Sequence, residues 1–350
     1  MYKAYRQTQK GKSKYRPEAI EFARDETYNL KQLQSELING DYRFSGYCEF
    51  KVYEPKERII NAPRYRDKIV QIAILNILKD VFYHCFISDS YACIDNKGTH
   101  KCAKRINQML RKARWEYGEN AWIIKIDIKK FFYTIDRDIL KSFLPKKIKS
   151  ERLLNLICHI IDSAKEIDAL GMPLGNAISH IGSNIYMDKT DQYCKRKLRL
   201  KYYARYADDI TIVVETKDKA TEVLAKIDSF VENKLKLKLN AKKTKKFPIS
   251  QGVNTVGYKI YGTHMLLRND SKKKIKRKVK KMPRLISEGK ITKRKAEQIL
   301  NSWRGHASHG NSYNFTRKLL RDNKYIYKDK KDAFKINTKK LEVSNDNQNK

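Results

Sequence analysis

The sequence predicts an α+β fold built around an antiparallel sheet, and three observations lead there. Tyr203 to Val214 reads as two apolar, aromatic and β-branched runs on either side of a tight polar pair, Asp208-Asp209, the pattern of a β-hairpin with the aspartates at its turn. Trp122 to Ile128 is another apolar run of strand character; only Lys125 breaks its alternation, and it ends on Asp127. Around these runs stand stretches with helical spacing, such as Ile69, Ile72, Ala73 and Ile77. Strands and helices mixed in this order favour α+β over a regular βαβ succession.

In chain order, residues 18–39 have helical spacing through Phe22, Leu30, Leu33 and Leu37, with Gly40 to close the helix. Cys48 to Tyr53 and Arg58 to Ile60 form a hairpin around a Glu54-Pro55-Lys56-Glu57 turn. A helix follows over 66–79, then an irregular stretch over 84–98, then a basic helix that Thr99 caps, running to about Arg114. Asp136 can cap a short helix, 148–165 is amphipathic, and the Gly171-Met172-Pro173-Leu174-Gly175 loop feeds a long helix over 176–199. A helix over 217–234 lies behind the aspartate hairpin. Thr255–Ile260 and His264–Leu267 make a small hairpin around Gly262. From Ser271 to about Trp303 the chain is basic and helical. Residues 328–350 lose hydrophobicity, which predicts a disordered tail.

Charge is the outlying total: 77 Lys+Arg against 39 Asp+Glu give +38. That excess, interleaved with Tyr and Arg, points to nucleic acid as partner rather than an anionic membrane. Absence of a long apolar span or signal peptide predicts a cytoplasmic protein with no membrane partner. The six cysteines are far apart with no C-x-x-C pair and read as reduced thiols; Cys93, His100 and Cys102 lack zinc-site spacing.

Two adjacent carboxylates on a hairpin tip repel each other unless a cation sits with them, and hard Mg²⁺ accepts carboxylate oxygens together with substrate phosphates. Asp127 supplies a third carboxylate at the end of a strand. One aspartate there and two on a neighbouring hairpin can hold two metal ions roughly 3.5–4 Å apart, as in-line phosphoryl transfer requires.

Tyr206-Ala207-Asp208-Asp209, together with Ile126-Asp127-Ile128-Lys129-Lys130-Phe131-Phe132, resembles the paired catalytic motifs of reverse transcriptases. The resemblance continues in order from about residue 47 to 310. Tyr53-Glu54-Pro55-Lys56-Glu57-Arg58 and Asp67-Lys68-Ile69-Val70-Gln71 resemble the fingers, and the Gly171–Gly175 loop with its helix resembles the element under the templating base. Lys242-Lys243-Thr244 and Val256-Gly257-Tyr258 resemble motifs that close the palm, and 271–306 the helical thumb. A right-hand polymerase is therefore the expected architecture: an N-terminal helical extension over 1–46, fingers over 47–121, palm over 122–262 with fingers–palm helices over 137–200, thumb over 263–327, and the tail over 328–350.

The resemblance implies that Asp127, Asp208 and Asp209 are catalytic and bind Mg²⁺, or Mn²⁺ in its place, with the Ile128 carbonyl assisting. Phe132 would be a steric gate against a ribose 2′-OH. Arg58 would clamp the triphosphate with its guanidinium fork. Gly175 would let the backbone approach the incoming nucleotide, Leu174 would line the nascent pair, and Lys243, or its neighbours Lys242 and Lys245, would sit near pyrophosphate. Lys272, Lys273, Lys276 and Arg277 would follow an RNA–DNA duplex; they belong to a run with eight Lys/Arg in residues 271–281.

One position narrows the group. Most reverse transcriptases carry Gln before the glycine, where this chain has Leu174; an apolar residue there resembles the enzymes of diversity-generating retroelements. Ser179-His180 and Ala207 depart from that group, which has Ser-Gln and commonly Met, and the alternatives are an antiphage-defence enzyme or a lone relative of group II intron enzymes. The implied partners are dNTPs, a structured template RNA and the RNA–DNA duplex, with room for a small accessory protein. An RNA-binding scaffold with secondary polymerase activity is the reading from another class.

Overall fold

The computed structural model describes residues 1–53, 57–163 and 170–322, apart from the Lys12 side chain. The chain forms two compact units, Met1–Gln251 and Gly252–Lys350. The expected turn at 54–56 and the tail at 328–350 lie outside the described residues.

The first unit is organised on a four-stranded antiparallel sheet of order β4-β5-β3-β6, formed by β3 (Trp122–Ile126), β4 (Tyr202–Tyr206), β5 (Asp209–Val214) and β6 (Lys245–Pro248). The strand β6 is absent from the sequence reading, because Lys245-Lys246-Phe247-Pro248 has neither alternation nor β-branched content. Ile124, Ile126, Ile210, Ile212, Val214 and Tyr203 lie on one face of the sheet. They join a core with Ile185 and Tyr186 of α9 (Ala177–Gln192) and Ala220, Val223 and Ile227 of α10 (Lys217–Leu235). The opposite face, with Ile123 and Ala204, is covered by α5 (Thr99–Tyr117), which packs on β4 and β5. Both faces are thus buried, which explains why β3 and β5 read as nearly continuous apolar runs.

The N-terminal residues are part of this core. Helices α1 (Tyr2–Thr8), α2 (Pro17–Arg24) and α3 (Glu26–Asn39) bury Ala4, Tyr5, Ala19, Leu30 and Leu33, and α1 and α2 pack against α4 (Tyr65–Phe82). The single helix expected over 18–39 is broken at Asp25, which leaves helical geometry at φ −123° and ψ 51°. Gly40 closes α3 in the left-handed conformation at φ 84°, as expected. The hairpin β1 (Tyr47–Val52) with β2 (Arg58–Pro63) is a separate two-stranded ribbon. Thr99 does not cap α5: Gly98 occupies the cap position, and the Thr99 hydroxyl instead meets the Tyr206 hydroxyl at 3.1 Å. Asp136 caps α7 (Arg137–Phe143) by accepting from the Asp138 and Ile139 amides, one turn after the short helix α6 (Phe131–Thr134). Ser150 opens α8 (Glu151–Asp162), and the helix expected over 176–199 is α9 plus a wider-wound turn at Tyr193–Lys197.

The second unit holds a three-stranded sheet, β7 (Val253–Thr255), β8 (Tyr258–Ile260) and β9 (Met265–Leu267), and the helices α11 (Asn269–Ser287), α12 (Lys293–Ala307) and α13 (Tyr313–Arg321). Val256-Gly257-Tyr258 therefore belongs to this unit's own sheet. A small core of Ile275, Val279, Met282, Ala296, Leu300 and Leu319 ties the three helices together, while the cations of α11 stay outside.

Candidate active site

The aspartate pair sits where the sequence puts it. Tyr206 pairs with Asp209, leaving Ala207-Asp208 as a two-residue loop, and Ala207 takes φ +56°, the left-handed region that the tight reversal demands. Ile126 pairs with Ile210; extending that register by one residue sets Asp127 opposite Asp209. A strand end and a hairpin tip thus bring the three carboxylates to one edge of the sheet. Burial pushes the Asp208 carboxyl up to about 6, and the negative charges of Asp127 and Asp209 add to the effect.

Cations partly neutralise the other two carboxylates. Lys243 Nζ donates to both Asp127 oxygens at 2.8 and 2.9 Å, and Asn240 Nδ2 donates to Oδ2 at 2.9 Å. Of the three lysines left open by the sequence, Lys243 is the one on Asp127, because the Asn240 and Lys243 turn is anchored by the Asn240 amide on the Asp127 carbonyl at 2.8 Å. Lys245 pairs with Lys125 in the sheet instead. Lys125 Nζ lies 3.1 Å from Asp209 Oδ2, and the thiol of Cys102 on α5, whose pKa burial raises first, lies close enough to Asp209 for the carboxylate to add to that rise. Asp209 therefore leans toward α5. Among the described residues, no three Asp, Glu, His or Cys side chains are already drawn into a ligand shell. Ile128 is buried, and its backbone bridges to Leu239.

Beneath the tip lies a residue that the sequence reading missed. Arg205 is fully buried and donates to Asp191 through Nε and Nη2, to Ser90 Oγ at 2.9 Å, to Asn184 Oδ1 at 3.1 Å, and to the Ala207 carbonyl at 3.0 Å. Asp191 also accepts from the Tyr203 hydroxyl. The guanidinium fork thus ties the hairpin tip to α9 and to the 89–91 segment, whose backbone bonds Arg205 on both sides. The available signal was an arginine placed between aromatic residues on a strand that is otherwise buried.

Phe132 is half-buried on α6 beside buried Phe131, and its ring meets the His180 ring edge-on, with centroids 6.0 Å apart. His180 Nδ1 is 3.5 Å from Cys93 Sγ, and loss of solvation around the ring lowers the histidine pKa. Gly171 is fixed by backbone: a Cβ there would stand 2.6 Å from Tyr133 Cα, at φ +88°. Gly175 is similarly constrained at φ +102°, with an added Cβ only 2.6 Å from Ile60 Cγ2 of β2. The Asn61 amide donates to the Leu174 carbonyl at 2.8 Å, so β2 and the Leu174–Gly175 loop form one surface. Arg58 lies exposed at the start of β2, opposite Val52. Among the described residues no hydrogen bond or ion pair links Arg58 to the three aspartates.

In the second unit the four expected cations of α11 do not share one face. Lys272 and Lys276 lie over the Phe315 ring at 5.8 and 5.5 Å, whereas Lys273 and Arg277 project on the far side of the helix from buried Ile275 and Val279.

A carboxylate pair on a hairpin tip, a third carboxylate on the adjacent strand, and a cationic chain are the features of a nucleotidyl-transfer polymerase of the right-hand architecture. The family model described as "Reverse transcriptase (RNA-dependent DNA polymerase)" matches residues 51–260, more than half of the 350 residues. The chain belongs to that family, and its enzyme class is RNA-directed DNA polymerase. It is similar to Protein YkfC of Escherichia coli (strain K12), with 26% identity over 274 residues, covering 66% of this chain and 71% of that protein. It is also similar to the group II intron-encoded protein LtrA of Lactococcus lactis subsp. cremoris, with 24% identity over 273 residues, covering 59% of this chain and 44% of LtrA. The chain thus spans less than half the length of that intron-encoded relative. Among solved structures, apo telomerase from Candida tropicalis is similar at 14% identity and a TM-score of 0.49, covering 70% of this chain and 54% of that one.

Proposed function

We propose that the chain copies an RNA it binds into complementary DNA, using Asp127, Asp208 and Asp209 to hold two Mg²⁺ ions, with the Ile128 backbone beside them. The observation that carries this is the convergence of three carboxylates whose mutual repulsion adds to the raised pKa of Asp208. A hard-oxygen set that is uncomfortable without a cation fits Mg²⁺, and next Mn²⁺. Such ions would lower the pKa of the attacking 3′-hydroxyl and neutralise charge on the leaving pyrophosphate. The chain's own groups would do the rest. Arg205 fixes the tip that presents Asp208, and Asn240 orients the Asp127 carboxylate. Lys243, more than half exposed, is placed to exchange Asp127 for incoming phosphate oxygens as the nucleotide arrives. Phe132 would exclude a 2′-hydroxyl, the Leu174–Gly175 surface would hold the nascent pair, and Arg58 would reach the triphosphate from the β1–β2 ribbon. In this reading β1–β2 belongs to the fingers, the four-stranded sheet to the palm, and α11–α13 to the thumb that follows the RNA–DNA duplex.

Replacing Asp208 and Asp209 together by Ala is expected to abolish dNTP incorporation on a primed RNA template while RNA binding persists. Normal synthesis by that variant would sink the assignment. The finer reading, mutagenic copying of the diversity-generating kind, rests on Leu174, which places an apolar side chain where a Gln amide would otherwise hydrogen-bond beside the nascent pair. Sequencing cDNA made from the natively associated RNA tests it: errors concentrated at adenines support it, and faithful or repetitive product points to the defence-type alternative.

A further inference from the structure

We propose that the outer face of α5 binds unpaired, looped RNA, with Trp115 as the platform on which one base stacks. This deepens the reading of the chain as an enzyme that works on a structured RNA, and rests on it. Helix α5 turns Cys102, Ala103, Ile106, Met109, Leu110 and Ala113 inward. At about 100° per residue, Lys101, Lys104, Gln108, Arg111 and Trp115 fall in one narrow arc opposite that buried face, along ~21 Å of helix. All five are exposed. Trp115 is 89% exposed, more than any other large hydrophobic side chain among the described residues. An ordinary solvated helix face mixes charge signs and does not leave an indole in water. This one shows no carboxylate within the row. The two acids near its end are engaged elsewhere, Glu116 with Lys201 and Tyr202, and Glu119 with Arg114.

The chemistry selects the occupant. Three spaced cations suit a run of phosphates, and an indole face accepts any base that is not already stacked in a helix. A duplex would use the cations and leave the tryptophan idle; a loop or single strand uses both. The surface is also remote from the chemistry. Thr99, at the start of α5, touches Tyr206 of the aspartate hairpin, and Trp115 stands sixteen residues, ~24 Å, further along the helix. RNA held here would be anchored while its template segment occupies the catalytic edge.

The test uses the full chain and two RNA probes of equal length, a hairpin with a seven-nucleotide loop and a blunt duplex. Trp115→Ala is expected to weaken hairpin binding by about tenfold, given about 1–3 kcal/mol per stacked base, and to leave duplex binding unchanged. Trp115→Phe should retain most of the hairpin affinity. Lys104→Ala with Arg111→Ala should lower the slope of log K against log salt by about 1.4, two phosphates at ~0.7 each for single-stranded RNA. DNA synthesis by Trp115→Ala on a linear primed template should stay at the wild-type rate. Wild-type hairpin affinity in Trp115→Ala overturns the proposal. So does loss of self-association by that variant in sedimentation with RNA affinity intact, which would assign the stripe to a second copy of the chain. A wild-type protein that binds the loop yet makes no DNA would instead count against the polymerase reading alone.

Discussion

Asp208→Asn tests the electrostatics of the aspartate edge without deleting a side chain. In the folded protein, burial first and the charges of Asp127 and Asp209 second raise the Asp208 carboxyl from 3.8 to about 6. A carboxyl whose pKa rises on folding contributes stability at low pH, and that contribution is lost as pH climbs through the folded value. Below about pH 4 the group is protonated in both folded and unfolded chains. Between about 4 and 6 the folded state loses ground, and above 6 the penalty levels off at about 3 kcal/mol, from about 2.2 units at 1.36 kcal/mol each. Asparagine carries no charge at any of these pH values, so the variant avoids the penalty. Its melting temperature in EDTA should exceed that of the wild type by about 6–12 °C at pH 7.5, using about 2–4 °C per kcal/mol for a domain of this size. The gap should close at pH 4. Adding Mg²⁺ should raise the wild-type melting temperature, as a cation bound only by the folded state does, and move the variant far less. A variant no more stable than wild type at pH 7.5, or a gap that persists unchanged at pH 4, would refute the reasoning. The variant should also be inactive, trading function for stability at one atom.

Three further outcomes are expected. Arg205→Met leaves Asp191 buried without its main counter-charge and should cost about 3–5 kcal/mol, read as a fall in denaturation midpoint; a change under 1 kcal/mol would remove Arg205 as the strut beneath the hairpin. Lys243→Ala should alter stability by less than about 1 kcal/mol, because the pair with Asp127 is solvent-exposed on the lysine side, yet lower kcat/KM for dNTPs by about a hundredfold; unchanged kinetics would deny the lysine a role with phosphate. Phe132→Ala should admit ribonucleotides in primer extension, and His180→Ala should do so more weakly, since it removes the ring that meets Phe132 edge-on; if Phe132→Ala discriminates as wild type does, the gate assignment fails for both.

The position of the aspartate edge was largely legible because its signals are local. Two aspartates between β-forming runs specify a hairpin tip, and an aspartate ending an apolar run specifies a strand end, so residue order alone announces Asp127, Asp208 and Asp209. The same holds for Gly40, for the Asp136 cap, and for the glycines of the 171–175 loop, where φ or a neighbouring backbone leaves no room for Cβ. Less legible were elements whose identity depends on contacts distant in sequence. The strand β6 has no strand-like composition and exists because β3 offers it an edge. The N-terminal residues look merely polar and basic, yet Ala4 and Tyr5 fill a space that only the packed α4 creates.

The sequence by itself therefore determined the fold class, the family and the placement of three carboxylates at a strand end and a hairpin tip, because period, turn chemistry and motif order are properties of short segments. Tertiary structure alone decided which lysine meets which aspartate, that Asp208 carries the raised pKa, and that a buried arginine holds the tip in place. It also decided that Trp115 stands in water on the outer line of α5 rather than in the core. Each of those depends on distances between residues far apart in the chain. Burial and Coulomb energy depend on those distances, so a one-dimensional pattern cannot fix them.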